Sequence, residues 1–125
     1  MNSIEEVTKR YEELVKLKGD SALETLECKI ELATAYAYHG NGSEAFALIK
    51  EAYEKYLELF GKEHDRTMAV YGMVGNMAAA LGMKDIALTA FETVSNYWVS
   101  HYGEEDVRSV MASKQYIDYK KYYLE

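Results

Sequence analysis

The stretch Gly40–Leu59 reads GNGSEAFALIKEAYEKYLEL, and further along the chain Gly82–His101 reads GMKDIALTAFETVSNYWVSH. Aligned on their first glycines, Ala45, Ile49 and Ala52 fall on Ala87, Phe91 and Val94, and Tyr56 falls on Trp98. Small, large and small at spacings of four and three mark the edge of a helix that another helix approaches closely. Val7 and Arg10 are a weaker first copy, with Leu14 ahead of Tyr56 and Trp98. The two aligned glycines belong to a longer series, because Gly19, Gly40, Gly61, Gly82 and Gly103 stand 21 residues apart. Such a unit holds one helix of about 17 residues and a short turn, with glycine closing the helix in left-handed backbone.

The intervening helices form a second class. Leu32, Ala33 and Tyr36 recur as Val74, Gly75 and Ala78, and less closely as Tyr116, Ile117 and Lys120, while Thr25, Thr67 and Ser109 fall in the same register. The repeating unit is therefore a helical hairpin that spans two of these glycine intervals. The spacing predicts an all-α chain of six helices near residues 3–18, 21–39, 43–60, 65–81, 84–102 and 104–123, with no strand. Apolar residues three and four apart in Ile4-Val7-Tyr11-Leu14 and Leu48-Ala52-Tyr56-Leu59 agree with this. Ser21 precedes Glu24 by three residues, the pattern of a capping box at the second helix. His39 beside Gly40 suits a helix C-terminus, and His64-Asp65 suits a turn and N-cap.

Composition narrows the function. A net charge of −7 argues against nucleic acid and anionic membranes as partners. No run approaches the ~18 apolar residues of a membrane span, and Met1-Asn2-Ser3-Ile4-Glu5-Glu6 lacks the form of a signal peptide, which reads as a soluble cytoplasmic protein. Cys28, the single cysteine, reads as a small buried hydrophobe. No linker or composition break divides the chain, so one domain is expected over 1–125, with repeat boundaries near Gly19, Gly61 and Gly103. The charged first and last helices read as solvated caps, favouring a complete small protein. The last helix nevertheless lacks a following partner, and Tyr116, Tyr119, Tyr122 and Tyr123 could cover surface elsewhere.

Catalytic constellations are missing. His39, His64 and His101 are far apart, with no second ligand at helical spacing, so no metal or cofactor is expected. Gly40-Asn41-Gly42 has no following Lys-Ser or Lys-Thr and does not read as a phosphate loop. Glu5-Glu6, Glu12-Glu13 and Glu104-Glu105 read as solvated pairs on charged helices. The expectation is a chain that is not an enzyme.

The residues Leu32-Ala33-Tyr36 and Ala45-Ile49-Ala52, with their copies, resemble the tetratricopeptide repeat. The doubled glycine interval, and Leu59-Phe60-Gly61-Lys62-Glu63-His64-Asp65 echoed by Tyr102-Gly103-Glu104-Glu105-Asp106, are similar to its kinesin light chain variety. The resemblance implies a three-repeat α-solenoid of antiparallel helical hairpins whose A helices line a concave face. On the first A helix that face would offer Glu27, Glu31, Thr34 and Tyr38; on the second Ala69, Met73, Asn76 and Ala80; on the third Met111, Gln115, Asp118 and Tyr122. The family's carboxylate clamp is matched at Asn76 alone, and its paired asparagines are replaced by Ile30-Glu31, Gly72-Met73 and Lys114-Gln115. Asn76 reads either as a peptide contact or as an interhelical amide, Met73 as groove floor or packing, and Trp98 as packing or an interface anchor. The function implied is a protein- or peptide-binding adaptor. Its partner would be a segment with an apolar anchor and positive charge to meet Glu27 and Glu31. The alternative is homodimer formation through the terminal helices, to which the 12 tyrosines are suited.

Overall fold

The computed structural model describes residues 3–124. Among them are six helices and no strand: α1 (Ile4–Lys18), α2 (Leu23–Tyr38), α3 (Gly42–Phe60), α4 (Asp65–Ala80), α5 (Lys84–Tyr102) and α6 (Val107–Leu124). They form two compact units, Met1–Leu59 and Phe60–Glu125, a division that composition does not mark. In the first unit α1 packs on α2, and Leu48 of α3 closes on the cluster of Val7, Cys28 and Leu32. In the second, α5 packs against both α4 and α6.

The five periodic glycines all have positive φ, between 76° and 88°. The turns at four of them are of two kinds. At Gly40, Asn41 N–H donates to Tyr36 O (2.8 Å) and Gly40 N–H to Ala37 O (3.1 Å). At Gly82, Met83 N–H donates to Ala78 O (2.9 Å) and Gly82 N–H to Ala79 O (3.1 Å). Both are Schellman closures that satisfy two carbonyls orphaned at the helix end. Gly19 and Gly103 instead combine φ 88° with ψ 165° and 163°, each donating one N–H to the carbonyl four residues back. Gly40 and Gly82, one hairpin period apart, share one turn type, and Gly19 and Gly103, two periods apart, share the other.

Helix starts follow the same register. Ala22, His64 and Asp106 hold one equivalent position in successive hairpins, immediately before α2, α4 and α6. His64 Nδ1 accepts from Arg66 N–H (3.1 Å) and Asp106 Oδ1 from Arg108 N–H (2.9 Å), whereas Ala22 has no side chain for the task. The capping box expected at Ser21 is therefore not formed: Ser21 lies one residue too early, and its hydroxyl faces Asp20 (3.3 Å). The serine that does cap is Ser3, accepting from Glu6 N–H at the start of α1 (3.1 Å). Likewise α6 begins at Val107, not near 104, because residues 104–106 turn until Asp106 can cap.

The core is built from the repeated positions. Ala45, Ile49, Ala52 and Tyr56 are buried on α3, as are Ala87, Phe91, Val94 and Trp98 on α5. Thr25, Thr67 and Ser109 are all 0% exposed. Gly75 sits where α5 crowds α4: a Cβ there would lie 2.7 Å from Phe91 Cε1 and 3.0 Å from Ala90 Cβ. Size is exchanged along the register, since Ala33 and Ile49 become Gly75 and Phe91.

Candidate functional site

Residues spaced by three and four on α4 and α6 face one hollow of about 620 Å³ within the second unit. Its α4 wall is Met68, Ala69, Gly72, Met73 and Asn76; its α6 wall includes Met111, Ala112, Gln115 and Asp118. Val94 and Trp98 of α5 form the floor. Three methionines and an indole give an apolar, deformable lining, because the unbranched thioether adapts to irregular shapes.

Polar groups sit on the rim and are mostly engaged with one another. Gln115 Nε2 donates to Asn76 Oδ1, so the Asn76 amide is interhelical in this state. Lys114 Nζ bonds Asp118 Oδ2 (2.7 Å). Arg108 is held by a fork on Asp106, with Nε to Oδ1 at 3.0 Å and Nη2 to Oδ2 at 3.1 Å. Its guanidinium lies 3.9 Å from the Tyr102 ring centroid and 4.9 Å from that of Trp98. Its Nη1 also comes within 3.6 Å of Asp65 Oδ2. The fork to Asp106 raises the arginine pKa further and lowers that of Asp106.

Behind Arg108 lies an acidic node. Asp65 receives hydrogen bonds from the Tyr102 hydroxyl and the Tyr97 hydroxyl (2.6 Å for the latter), and these hold its carboxyl below the usual range. Burial and the same bond push the Tyr97 phenol strongly upward. Tyr97 in turn stacks on His101 at 4.1 Å, whose Nε2 approaches Glu63 at 3.4 Å. The node joins the start of α4 to the end of α5, and Asp65 and the Tyr102 ring both lie against the Arg108 guanidinium.

The other expected site residues lie elsewhere. Glu27 and Glu31 border a separate hollow of about 480 Å³ in the first unit, with Arg10, Leu14, Glu24 and Cys28. Glu31 is ion-paired with Arg10 there. Thr34 turns its hydroxyl back to Ile30 O (2.9 Å). Tyr38 is exposed at the end of α2, edge-on to His39. Tyr122 is 77% exposed and meets Tyr123 edge-on, outside the groove lining. Of the other terminal tyrosines, Tyr116 donates to Glu92 Oε2 (2.5 Å), while Tyr119 packs edge-on against Phe91 (5.2 Å) and beside Tyr123 (4.3 Å). Sequence reasoning missed Arg108, Met68 and Lys114 as groove residues. The Asp106-x-Arg108 spacing carried the signal for the first, a cap and a fork from one carboxylate. Trp98 is packed, 7% exposed, with its remaining edge turned to the groove.

Among the described residues no group of three or more His, Cys, Asp or Glu could hold a metal ion, and no helix is long and apolar enough to cross a membrane. No family model matches the sequence, and no curated protein matches it. Solved structures do. Kinesin light chain repeats from Podosopora anserina, described as nearly identical TPR-like repeats, superpose with a TM-score of 0.88 at 18% identity, over 94% of this chain and 56% of theirs. A single-substitution variant of those repeats gives a TM-score of 0.86 at 18% identity, over 94% and 55%. The chain thus spans little more than half the length of these neighbours. Six helices, evenly spaced glycines of positive φ and this superposition together identify the fold as a TPR-like all-α helical repeat.

Proposed function

We propose that this chain is a non-catalytic adaptor that binds a protein or peptide segment in the groove between α4 and α6. Folds of this kind are in general protein–protein interaction modules, and one observation carries the reading here. The methionine- and tryptophan-lined hollow of about 620 Å³ is large enough for one or two apolar side chains, and its polar rim can exchange internal partners for a peptide backbone. Gly72 and Ala69 leave room over the floor, and the Asn76–Gln115 pair can open to offer a donor and an acceptor. The positive charge expected of the partner attaches to the first unit's hollow, where Glu24, Glu27 and Glu31 outnumber Arg10. In the groove itself Arg108 and Lys114 are balanced by Asp106 and Asp118, so shape and apolarity select the anchor. Self-association has less surface behind it, because Tyr116, Tyr119 and Tyr123 make contacts inside the second unit. The proposal puts the module in the cytoplasm, where a lone buried thiol such as Cys28 stays reduced.

Trp98, the single tryptophan, lines the groove and reports on it. Peptides selected from a displayed random library against the chain should shift Trp98 emission on binding. Met73→Glu should abolish their binding with helical circular dichroism intact, and Asn76→Ala should weaken it by about 1–3 kcal/mol. Selected peptides that bind Met73→Glu as well as the parent, and leave Trp98 emission unchanged, would overturn the assignment.

A further inference from the structure

Met111 lines the α4–α6 groove and is nevertheless open to water. It is 67% exposed, the one exposed methionine among the described residues; Met68 is buried at 2%, and Met73, Met77 and Met83 are half-buried. The repeat asks for no thioether at that position. The counterparts of Met111 on α2 and α4 are Glu27 and Ala69, both exposed, so this register stays open to solvent even where further helices follow. Core packing therefore does not account for the residue. The single thiol of the chain is better shielded, since Cys28 is 5% exposed in the first unit and directs Sγ at Val7 O (3.9 Å). Oxidation of sulfur side chains follows exposure, so a peroxide meets Met111 first.

We propose that Met111 is an oxidation site, and that its conversion to the sulfoxide by a hydroperoxide closes the groove to an apolar anchor. Sδ attacks the terminal peroxide oxygen; the O–O bond breaks as the S–O bond forms, and with hydrogen peroxide the other oxygen leaves as water. Sulfur loses two electrons and the peroxide gains them. The product is a polar, chiral group in a lining that Met68, Met73, Val94 and Trp98 otherwise make apolar. Its oxygen accepts hydrogen bonds, and two donors that line the same hollow, Arg108 and Gln115, stand one turn away on either side along α6. Gln115 Nε2, which donates to Asn76 Oδ1, then meets a competing acceptor on its own helix. An anchor entering the oxidised groove buries that dipole against carbon, a loss of about tenfold in affinity. The step is reversible: a methionine sulfoxide reductase restores the thioether while two thiols become a disulfide and the oxygen leaves as water. The effect on binding rests on the groove reading; the site of oxidation does not.

Hydrogen peroxide treatment of the full chain, followed by tryptic mass mapping, reads the site. Fragment 109–114 carries Met111 alone, and fragment 67–84 carries Met68, Met73, Met77 and Met83. The first should gain its oxygen several-fold faster than the second gains any. Trp98 emission should shift to the red in step with that gain, because the indole shares the hollow, and should stay fixed in Met111→Leu. Groove-selected peptides should bind the oxidised chain about tenfold more weakly, and reductase treatment should restore their affinity. In Met111→Leu the affinity should be the same before and after peroxide, and Met111→Gln should show the loss without peroxide. Equal or faster oxidation of fragment 67–84 would overturn the proposal, as would an affinity unchanged by oxidation of Met111 or a peroxide effect that persists in Met111→Leu. If no peptide enters the groove, the groove reading fails, and the fragment rates with the Trp98 shift decide the oxidation site by themselves.

Discussion

Two glycines one turn apart on α4 should respond oppositely to the same substitution. Alanine in place of either removes backbone freedom from the unfolded chain and restores helix propensity, a gain of about 0.5–1 kcal/mol. At Gly72 nothing lies within 4 Å of the new Cβ, so Gly72→Ala should keep that whole gain. At Gly75 the Cβ would sit 2.7 Å from Phe91 Cε1 and 3.0 Å from Ala90 Cβ. Phe91 is 3% exposed and has Tyr119 against its edge, so the ring has little room to yield. Overpacking of this kind costs about 1–3 kcal/mol, which leaves Gly75→Ala destabilising by up to roughly 2.5 kcal/mol after the propensity gain. Urea unfolding followed by circular dichroism, with Trp98 fluorescence reporting on the second unit, measures both. Gly75→Ala combined with Phe91→Leu should recover most of the loss, because the smaller side chain vacates the contested volume. If Gly75→Ala proves as stabilising as Gly72→Ala, the close approach of α4 and α5 is not what requires glycine there.

Ser109 Oγ is buried without a hydrogen-bond partner, so Ser109→Ala should raise stability by about 1 kcal/mol in the same urea assay. Ala22→Asp would supply α2 with the cap that Asp106 gives α6, and should add about 0.5–1 kcal/mol. Asp65 has a depressed folded pKa, owing first to the Tyr102 bond and then to the Tyr97 bond; its contribution is present above the unfolded carboxylate pKa and lost as pH falls through the folded one. Unfolding free energies of the parent and Asp65→Asn should therefore differ most at neutral pH and converge below about pH 4, and a constant difference would refute the linkage.

Helix number and hairpin period were legible because each is signalled by residues whose roles are local. Glycine at five even intervals records positive φ directly. Helix starts were less legible. Ser21-x-x-Glu24 and Ser3-x-x-Glu6 have the same form, yet only Ser3 caps, because the turn following Gly19 sets where α2 begins. For the site, the positions that the resemblance implies on α4 and α6 include Ala69, Met73, Asn76, Met111, Gln115 and Asp118, which border one hollow, whereas Ala80 and Tyr122 of the same set do not. What spacing on a single helix cannot supply is the third wall: Val94 and Trp98 come from α5, and Arg108 is aimed by Asp106 and two aromatic rings. Nor could it name Gln115, 39 residues away, as the partner of an interhelical Asn76.

The two kinds of glycine turn carry different freedom to diverge. At Gly40 and Gly82 the Schellman geometry asks only for a left-handed residue, which asparagine adopts at small cost, and no neighbour crowds a side chain there. Gly19 and Gly103, with φ 88° and ψ of 165° and 163°, occupy a region that is essentially glycine's own. Over long drift, the turns at Gly40 and Gly82 should lose their glycines first, while those at Gly19 and Gly103 keep theirs.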